Sequence, residues 1–412
     1  MPLAELSLAA LVLAIIVSCV SEMNVGILAL ALAWIVGVYI GGMGLNEVIG
    51  AFPVQLFLML VGVTLLFSQA QLNGTLERVA HGAVRLCRGN VGLIPVMFFF
   101  LGCGIASLGP GNVSTAAMLA PVAMAVASRA AVPAFLMAIM VGNGAQAGSL
   151  SPFAPTGIIV NGIMENIGLG GNEFWNYWTN LAAHAAVAFG GYLLLGGMKL
   201  FRREFAAPAT ETKADHGLTR AHWITMGTIL AVIAAVLFAN ANIGMAAFTG
   251  AVFLAVLRVA DHQEAVRKIP WTPIIMVTGV TVLISLLERT GGLDLFTAVL
   301  ARFASQESVT GVLAFLTGVI SVYSSTSGVV LPAFLPTIPG LITRLGGGDP
   351  LALAASMNIG AHLVDMSPLS TTGAMCMAGI TNPEEIRPTY NRLLAWGLSM
   401  SIVGGIFCFL FF

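Results

Sequence analysis

Charge is what this sequence has least of. Lys and Arg number 17 and Asp and Glu 18 in 412 residues. That is 8% charged, against about a quarter in an average soluble chain. So few charges cannot clothe a soluble fold of this size, which excludes a cytoplasmic enzyme. The net charge of −1 argues against a polyanion partner, so no nucleic acid is expected. Cysteine is scarce too. Cys19, Cys87, Cys103, Cys376 and Cys408 are scattered, odd in number and lack any CxxC spacing. A disulfide framework or a zinc site is not expected, and they read as small apolar packing residues. The motifs HExxH and GxSxG are missing, so no enzyme is expected. No basic region precedes the first apolar stretch, whose flanks carry Glu5 and Glu22. Leu6–Val20 is therefore read as a retained helix and not as a signal peptide.

What is present is hydrophobic: 58% of the residues, in runs near the ~20 residues that span a bilayer. The chain reads as an all-α integral membrane protein, multi-pass, in the inner (plasma) membrane. Spans are predicted near 6–20, 24–40, 53–72, 133–166, 175–198, 221–239, 242–258, 271–287, 350–380 and 393–411. Two further apolar stretches, 92–128 and 308–343, are each broken near the middle by a Gly/Ser/Pro cluster. Irregular backbone at membrane depth is tolerated only against protein or a water-filled cavity. Lys and Arg concentrate in 73–90 (Arg78, Arg85, Arg88), 199–220 (Lys199, Arg202, Arg203, Lys213, Arg220), 258–270 (Arg258, Arg267, Lys268) and 381–392 (Arg387, Arg392). These segments are expected to be cytoplasmic, and the Lys/Arg-free loops 41–52 and 166–174 external. One scheme satisfies them all, with 92–128 entering and leaving inside, 308–343 doing so outside, and both termini outside. Arg289, Arg302 and Arg344 fall outside and run against it. Trp175, Trp178, Trp223 and Trp271 sit at span ends as interface anchors.

The two halves lie over each other. Val61–Phe67 matches Thr278–Ile284 at an offset of 217, Gly109–Thr115 lies opposite Ser324–Val330 at 215, and Ser151–Gly157 matches Ser367–Gly373 at 216. The first copy begins outside and the second inside, so the repeats have inverted topology, each with about five transmembrane segments and one re-entrant hairpin. Inverted repeats with broken helices in corresponding positions mark secondary transporters, with the substrate site between the repeats.

Each half then offers a hairpin tip (Gly109–Thr115 and Ser324–Gly328) and a helix break (Ser149–Thr156 and Ser367–Thr372). Helix ends inside the membrane leave backbone groups unpaired. Their N-termini attract anions, while carbonyls and hydroxyls suit a hard cation such as sodium. Neither hairpin core nor either break contains Lys or Arg. An anion would be held by helix ends, hydroxyls, amides and co-bound cations, which couples the two. Asp365 precedes the Ser367-Pro break, with His362 three residues earlier. Asp365 is a candidate to ligate a cation or carry a proton, or to cap the next half-helix. His362 is a candidate to touch substrate or orient Asp365, or simply to pack. Its counterpart Gln146 cannot titrate. His184 reads as structural.

The stretch Gly109-Pro-Gly-Asn-Val-Ser-Thr-Ala-Ala-Met-Leu-Ala-Pro121 is similar to the MatC-type dicarboxylate (malonate) carriers. Nearly the whole chain resembles the ion transporter superfamily near the divalent-anion/sodium symporters. The resemblance implies an elevator-type transporter, usually a homodimer. Scaffold helices and arm would be 1–90 and 221–306, transport domains 91–198 and 307–412, and the cytoplasmic linker 199–220. The arms would be the stretches 73–90 and 288–306. In that family each tip carries Ser-Asn-Thr. Here the first tip has that set in another order and the second has no asparagine.

The expected substrate-binding set is Asn112, Ser114, Ser151, Pro152, Thr156, Ser325, Thr326, His362, Ser367, Pro368 and Thr372. The expected sodium set is Ser107, Gly109, Asn112, Thr115, Gly148, Ser324, Ser327 and Asp365. No cofactor is expected beyond sodium as coupling ion. The partners would be a small organic dicarboxylate, sodium, the lipid bilayer and a second copy. The leading expectation is sodium-coupled dicarboxylate import. A proton-coupled carrier or exchanger of related anions through Asp365, and a cation/proton antiporter, stay open.

Overall fold

The computed structural model describes residues 2–21, 23–76, 78, 90–203, 218–380 and 382–412. Glu22, Arg85, Cys87, Arg88, Lys213 and most of the arm 73–90 and of the linker lie outside the described residues. In hydrocarbon every backbone polar group needs a partner within the protein. Among the described residues, helices supply those partners and no extended strand occurs.

The first half runs α1 (Leu3–Val20), α2 (Val25–Trp34, continuing as a wider turn over Ile35–Ile40), α3 (Leu45–Gly50), α4 (Val54–Leu72), α5 (Leu93–Leu108), α6 (Gly111–Arg129), α7 (Ala134–Ala147), α8 (Pro155–Asn166) and α9 (Glu173–Leu194). The second runs α10 (Arg220–Ala239), α11 (Ile243–Val256), α12 (His262–Arg267), α13 (Trp271–Thr290), α14 (Gly292–Ala301), α15 (Val309–Ser321), α16 (Thr326–Leu345), α17 (Pro350–Leu363), α18 (Thr371–Ala378) and α19 (Pro383–Phe411). Among the described residues, seven helices are long and apolar enough to cross a membrane, namely α1, α4, α6 with Ala130, α10, α13, α16 and α19.

Packing follows the same correspondence. Helix α2 crosses α13 while its counterpart α11 crosses α4. Both crossings are built on glycine. A Cβ on Gly26 would sit 2.1 Å from the Ile275 carbonyl oxygen, and one on Gly62 would sit 2.4 Å from that of Gly244. Deeper in, α5 packs on α7 and α15 on α17. There Gly144 lies against Phe99 and Gly360 against Ala314, with would-be contacts of 2.3 and 2.1 Å to their carbonyl oxygens. Small residues let helix backbones approach this closely in a bilayer, where hydrophobicity gives no net drive.

The half-helices α7 and α17 form the centre. Every residue of α7 is buried, and so is α17 from Ala352 to Leu363. A helix apolar on all sides belongs inside a bundle. Trp175, Trp178, Trp223 and Trp271 are exposed on the outer surface.

Three boundaries differ from expectation. Of the charged stretch 381–392, residues 383–392 are not a loop but the opening of α19. Asn382 accepts from the Glu384 N–H at 3.1 Å. Pro383 occupies the first turn, and Glu384 and Glu385 face the positive helix end. A charged helix start looks like a loop by composition. The hairpin tips are also tighter than expected. Helix resumes at Gly111 and at Thr326, so Asn112–Thr115 and Thr326–Gly328 belong to first turns. Finally, 258–270 contains α12. Its cap Asp261 accepts from the N–H groups of Gln263 and Glu264 at 2.9 and 3.1 Å, and those bonds hold its carboxyl below the usual range.

Candidate binding site between two tips and two breaks

The first break is local chemistry. The turn 148–154 separates α7 from α8, whose first residue Pro155 lacks an N–H that would be unpaired there anyway. A Cβ on Gly157 would lie 2.0 Å from the Ser151 carbonyl oxygen, and one on Gly373 would lie 2.0 Å from that of Ser367. Only glycine lets each chain fold back on its break. In the second break Ser370 caps α18 through the Gly373 N–H at 3.3 Å. Its hydroxyl also donates to the Asp365 main-chain oxygen. The cap is therefore Ser370, and the Asp365 carboxylate is left for other partners.

Each tip meets its break. The turn of the first tip uses Gly109 and Gly111 at φ of 140° and 75°. Ser151 Oγ donates to the Ser107 oxygen at 2.6 Å, and a Cβ on Gly111 would sit 2.9 Å from Pro155 Cδ. At the second tip Thr326 Oγ1 donates to Asp365 Oδ1 at 2.9 Å and touches the Ser321 hydroxyl.

One amide joins the halves. Gln146 Nε2 donates to Asp365 Oδ2 at 3.0 Å and to Thr372 Oγ1 at 3.2 Å. Its Oε1 accepts from Asn112 Nδ2 at 2.9 Å. Asn112, Gln146, Asp365, Thr326 and Thr372 thus form one chain of hydrogen bonds across both tips and both breaks. Asp365 is buried, and its carboxylate partners are neutral. Thr115 Oγ1 and Ser149 Oγ are buried without a partner among the described residues. These acceptors and hydroxyls are of the type that takes a hard cation or water.

Other expected residues fall around this chain. Ser107 Oγ is engaged by the Cys103 oxygen and by the Tyr177 hydroxyl at 2.6 and 3.0 Å. Ser324 turns away to the Ser18 hydroxyl of α1 at 2.7 Å, and Ser325 caps α16 through the Gly328 N–H at 3.1 Å. Neither joins the chain. Ser114 and Ser327 are half-buried, as is Pro152, while Gly109, Gly148, Ser367 and Pro368 are buried in the turns and Thr156 is buried at the start of α8. His362 does not orient the acid. It spends Nδ1 on the Asn358 oxygen at 2.8 Å, because Asp365 lies past the end of α17 in a tighter turn. His184 bonds Asn143 Oδ1 at 2.9 Å, in line with a packing role. Gln146 and Ser321 were not among the expected site residues. The burial of α7 on all sides, which singles out Gln146, is a property of the packing and not of the sequence.

A cavity of about 690 Å³ opens elsewhere, and none of the residues of this chain of hydrogen bonds lines it. It lies between the ends of α4, α13 and α14 on one side and α8 and α16 on the other, with Pro53, Thr281, Glu288, Asn166 and Pro336 on its walls. That is within the roughly 300–1,000 Å³ of small-ligand clefts.

The chain shares its all-helical fold with a solved membrane transporter. The chain is similar to the solved Alcanivorax borkumensis YdaH transporter, described as having an unusual topology. The match covers 89% of this chain and 88% of that one, at a TM-score of 0.59 and 14% identity. Residues 1–149 match the family described as the dicarboxylate carrier protein MatC N-terminus, and the stretch Gly109–Pro121 lies inside that match. No curated protein matches the chain.

Proposed function

We propose that the protein is a secondary active transporter of the plasma membrane that imports a small dicarboxylate, of malonate or succinate size, with sodium. The observation that carries this reading is the buried Asp365 carboxylate with only neutral partners. A buried charge is costly unless paired, so a cation is due at that point of the cycle. The MatC match over residues 1–149 supports a dicarboxylate as the anion. Asn112, Thr115 and Ser149 with Asp365, Thr326 and Thr372 would hold the pair. No basic side chain is needed, since the cation and the helix ends supply positive potential.

The motion would be an elevator. Helices α1, α2, α4, α10, α11 and α13 would stay, while the two hairpins, broken helices, α9 and α19 would move. The two repeats would be inverted and the particle a homodimer. Support comes from the depth of the tips, each bonded to the middle of a broken helix. Both ends of the first hairpin are also tied to one segment. The Val91 N–H donates to the Arg203 oxygen at 3.1 Å, and Arg203 Nη1 donates to the Ala131 oxygen at 3.1 Å.

The test is uptake of radiolabelled malonate and succinate into proteoliposomes under a sodium gradient, a proton gradient or neither. Sodium-driven accumulation that is lost in Asn112→Ala is expected. Uptake driven only by protons and lost in Asp365→Asn would replace sodium by a proton carrier. No uptake of either acid under any gradient would overturn the substrate class.

A further inference from the structure

We propose that Gln146 is a positioning residue that couples a cation at Asp365 to a carboxylate at Asn112 by turning over its side-chain amide. This rests on the sodium–dicarboxylate reading above and adds how the two sites communicate.

A bare carboxylate only accepts hydrogen bonds, while an amide has a donating and an accepting end. Asp365 therefore dictates the orientation of Gln146, whose Nε2 faces Oδ2 at 3.0 Å. The other end must then be the oxygen, and it holds Asn112 Nδ2 at 2.9 Å. One of the two N–H groups of Asn112 Nδ2 is thereby spent, so Asn112 offers the tip a single N–H beside its acceptor, Oδ1. The acceptor repels a carboxylate, so without the cation the first tip holds its anion through one N–H at most.

A sodium ion at Asp365 reverses the demand. Hard cations take oxygen ligands, so Gln146 turns Oε1 toward the ion. Its Nε2 then faces Asn112, which turns in response and frees both N–H groups of Nδ2 to donate to the two oxygens of the substrate carboxylate. Thr372 suits both states, since a hydroxyl donates or accepts. The main chain stays put throughout, because Asn180 Nδ2 holds the Gln146 backbone oxygen at 2.9 Å. The equivalent residue of the other half is His362, which is bound to its own helix at Asn358. The relay therefore exists in one half only.

The experiment uses the full-length protein in liposomes, with succinate as probe. Binding is measured in sodium and in choline, beside infrared difference spectra of protein carrying glutamine labelled at the side-chain carbonyl. In the parent, sodium should tighten succinate at least ~5-fold, the lower end of ordinary coupling, and shift the labelled carbonyl band. Gln146→Met keeps the length and removes the amide. It should still be stabilised thermally by sodium held at Asp365, at higher sodium concentration than the parent because one oxygen ligand is gone. At saturating sodium it should lose the band shift and bring the sodium/choline affinity ratio close to one. Asn112→Ser, whose hydroxyl suits either polarity, should lower the ratio without abolishing succinate binding. A parental ratio in Gln146→Met overturns the relay while leaving the function intact. A glutamine shift on adding sodium, absent from Gln146→Met, in a protein that binds no succinate keeps the relay and removes the dicarboxylate. No shift in the parent overturns the relay, whatever the variants do.

Discussion

Among the described residues, Thr326 and Gln146 are the side chains that donate to the Asp365 carboxylate, so each carries a large share of its stability. Hydrogen bonds to a charged group contribute about 1.5–3 kcal/mol. Thr326→Val keeps the shape and deletes the hydroxyl. It should destabilise the detergent-purified protein by about that amount, seen as a lower melting temperature, and weaken sodium binding. The double variant with Asp365→Asn should cost much less than the sum of the two changes, because the charge that needed the donor is gone. Additive losses would show that Thr326 acts apart from Asp365. At this scale the acid was legible, since one carboxylate inside an apolar stretch stands out. Gln146 was not. It is neutral, and its partners Asp365 and Thr372 lie 219 and 226 residues away. The serines of the second tip show the opposite limit. Ser324, Ser325 and Thr326 are chemically alike, yet backbone direction sends them to α1, to a helix cap and to Asp365.

Among the elements, the two crossings of α2 with α13 and of α11 with α4 are held at backbone distance by glycine. A methyl group there has nowhere to go. Gly26→Ala and Gly62→Ala should each cost about 1–3 kcal/mol by overpacking. Gly227→Ala is the control, because no atom lies within 4 Å of its would-be Cβ. In a helix interior alanine is favoured over glycine by about 0.8–1.0 kcal/mol, so that change should be neutral or stabilising. Thermal unfolding of the three variants checks the ranking. Equal losses would mean that the close approach does not limit packing. Spans and breaks were readable because length, hydropathy and the Gly/Ser/Pro clusters are local properties. The start of α19 was not, because a polar first turn bearing Pro383, Glu384 and Glu385 has the composition of a loop. The reciprocal crossing was also hidden, since a repeat fixes which elements correspond and not which ones touch.

For the whole molecule, the elevator reading makes one demand that two hydrogen bonds can test. Carrying a dianion inward against an inside-negative potential costs about 2.3 kcal/mol per charge per 100 mV, roughly 4.6 kcal/mol in all at that voltage. Two sodium ions would cancel that cost only if they travel with the anion, so both tips must move as one body past the fixed helices. The Ser324 hydroxyl of the second tip contacts Ser18 of α1 at 2.7 Å, across the proposed sliding boundary. Asn73 Nδ2, at the cap that ends α4, contacts Thr225 Oγ1 of α10 at 2.7 Å, and both α4 and α10 are proposed to stay still. Side chains this close suit a disulfide, whose sulfurs lie about 2.05 Å apart. In a background with Cys19, Cys87, Cys103, Cys376 and Cys408 replaced by serine, Ser18→Cys with Ser324→Cys should lose uptake on oxidation and regain it on reduction. Asn73→Cys with Thr225→Cys should transport equally well in both states. Full uptake by the oxidised Ser18/Ser324 pair would mean that the second tip does not leave α1 during transport. The boundary would then have to be redrawn so that α1 travels with the tips. The cavity of about 690 Å³ between α4, α13 and α14 and the elements α8 and α16 would mark the remaining surface along which such a body can slide.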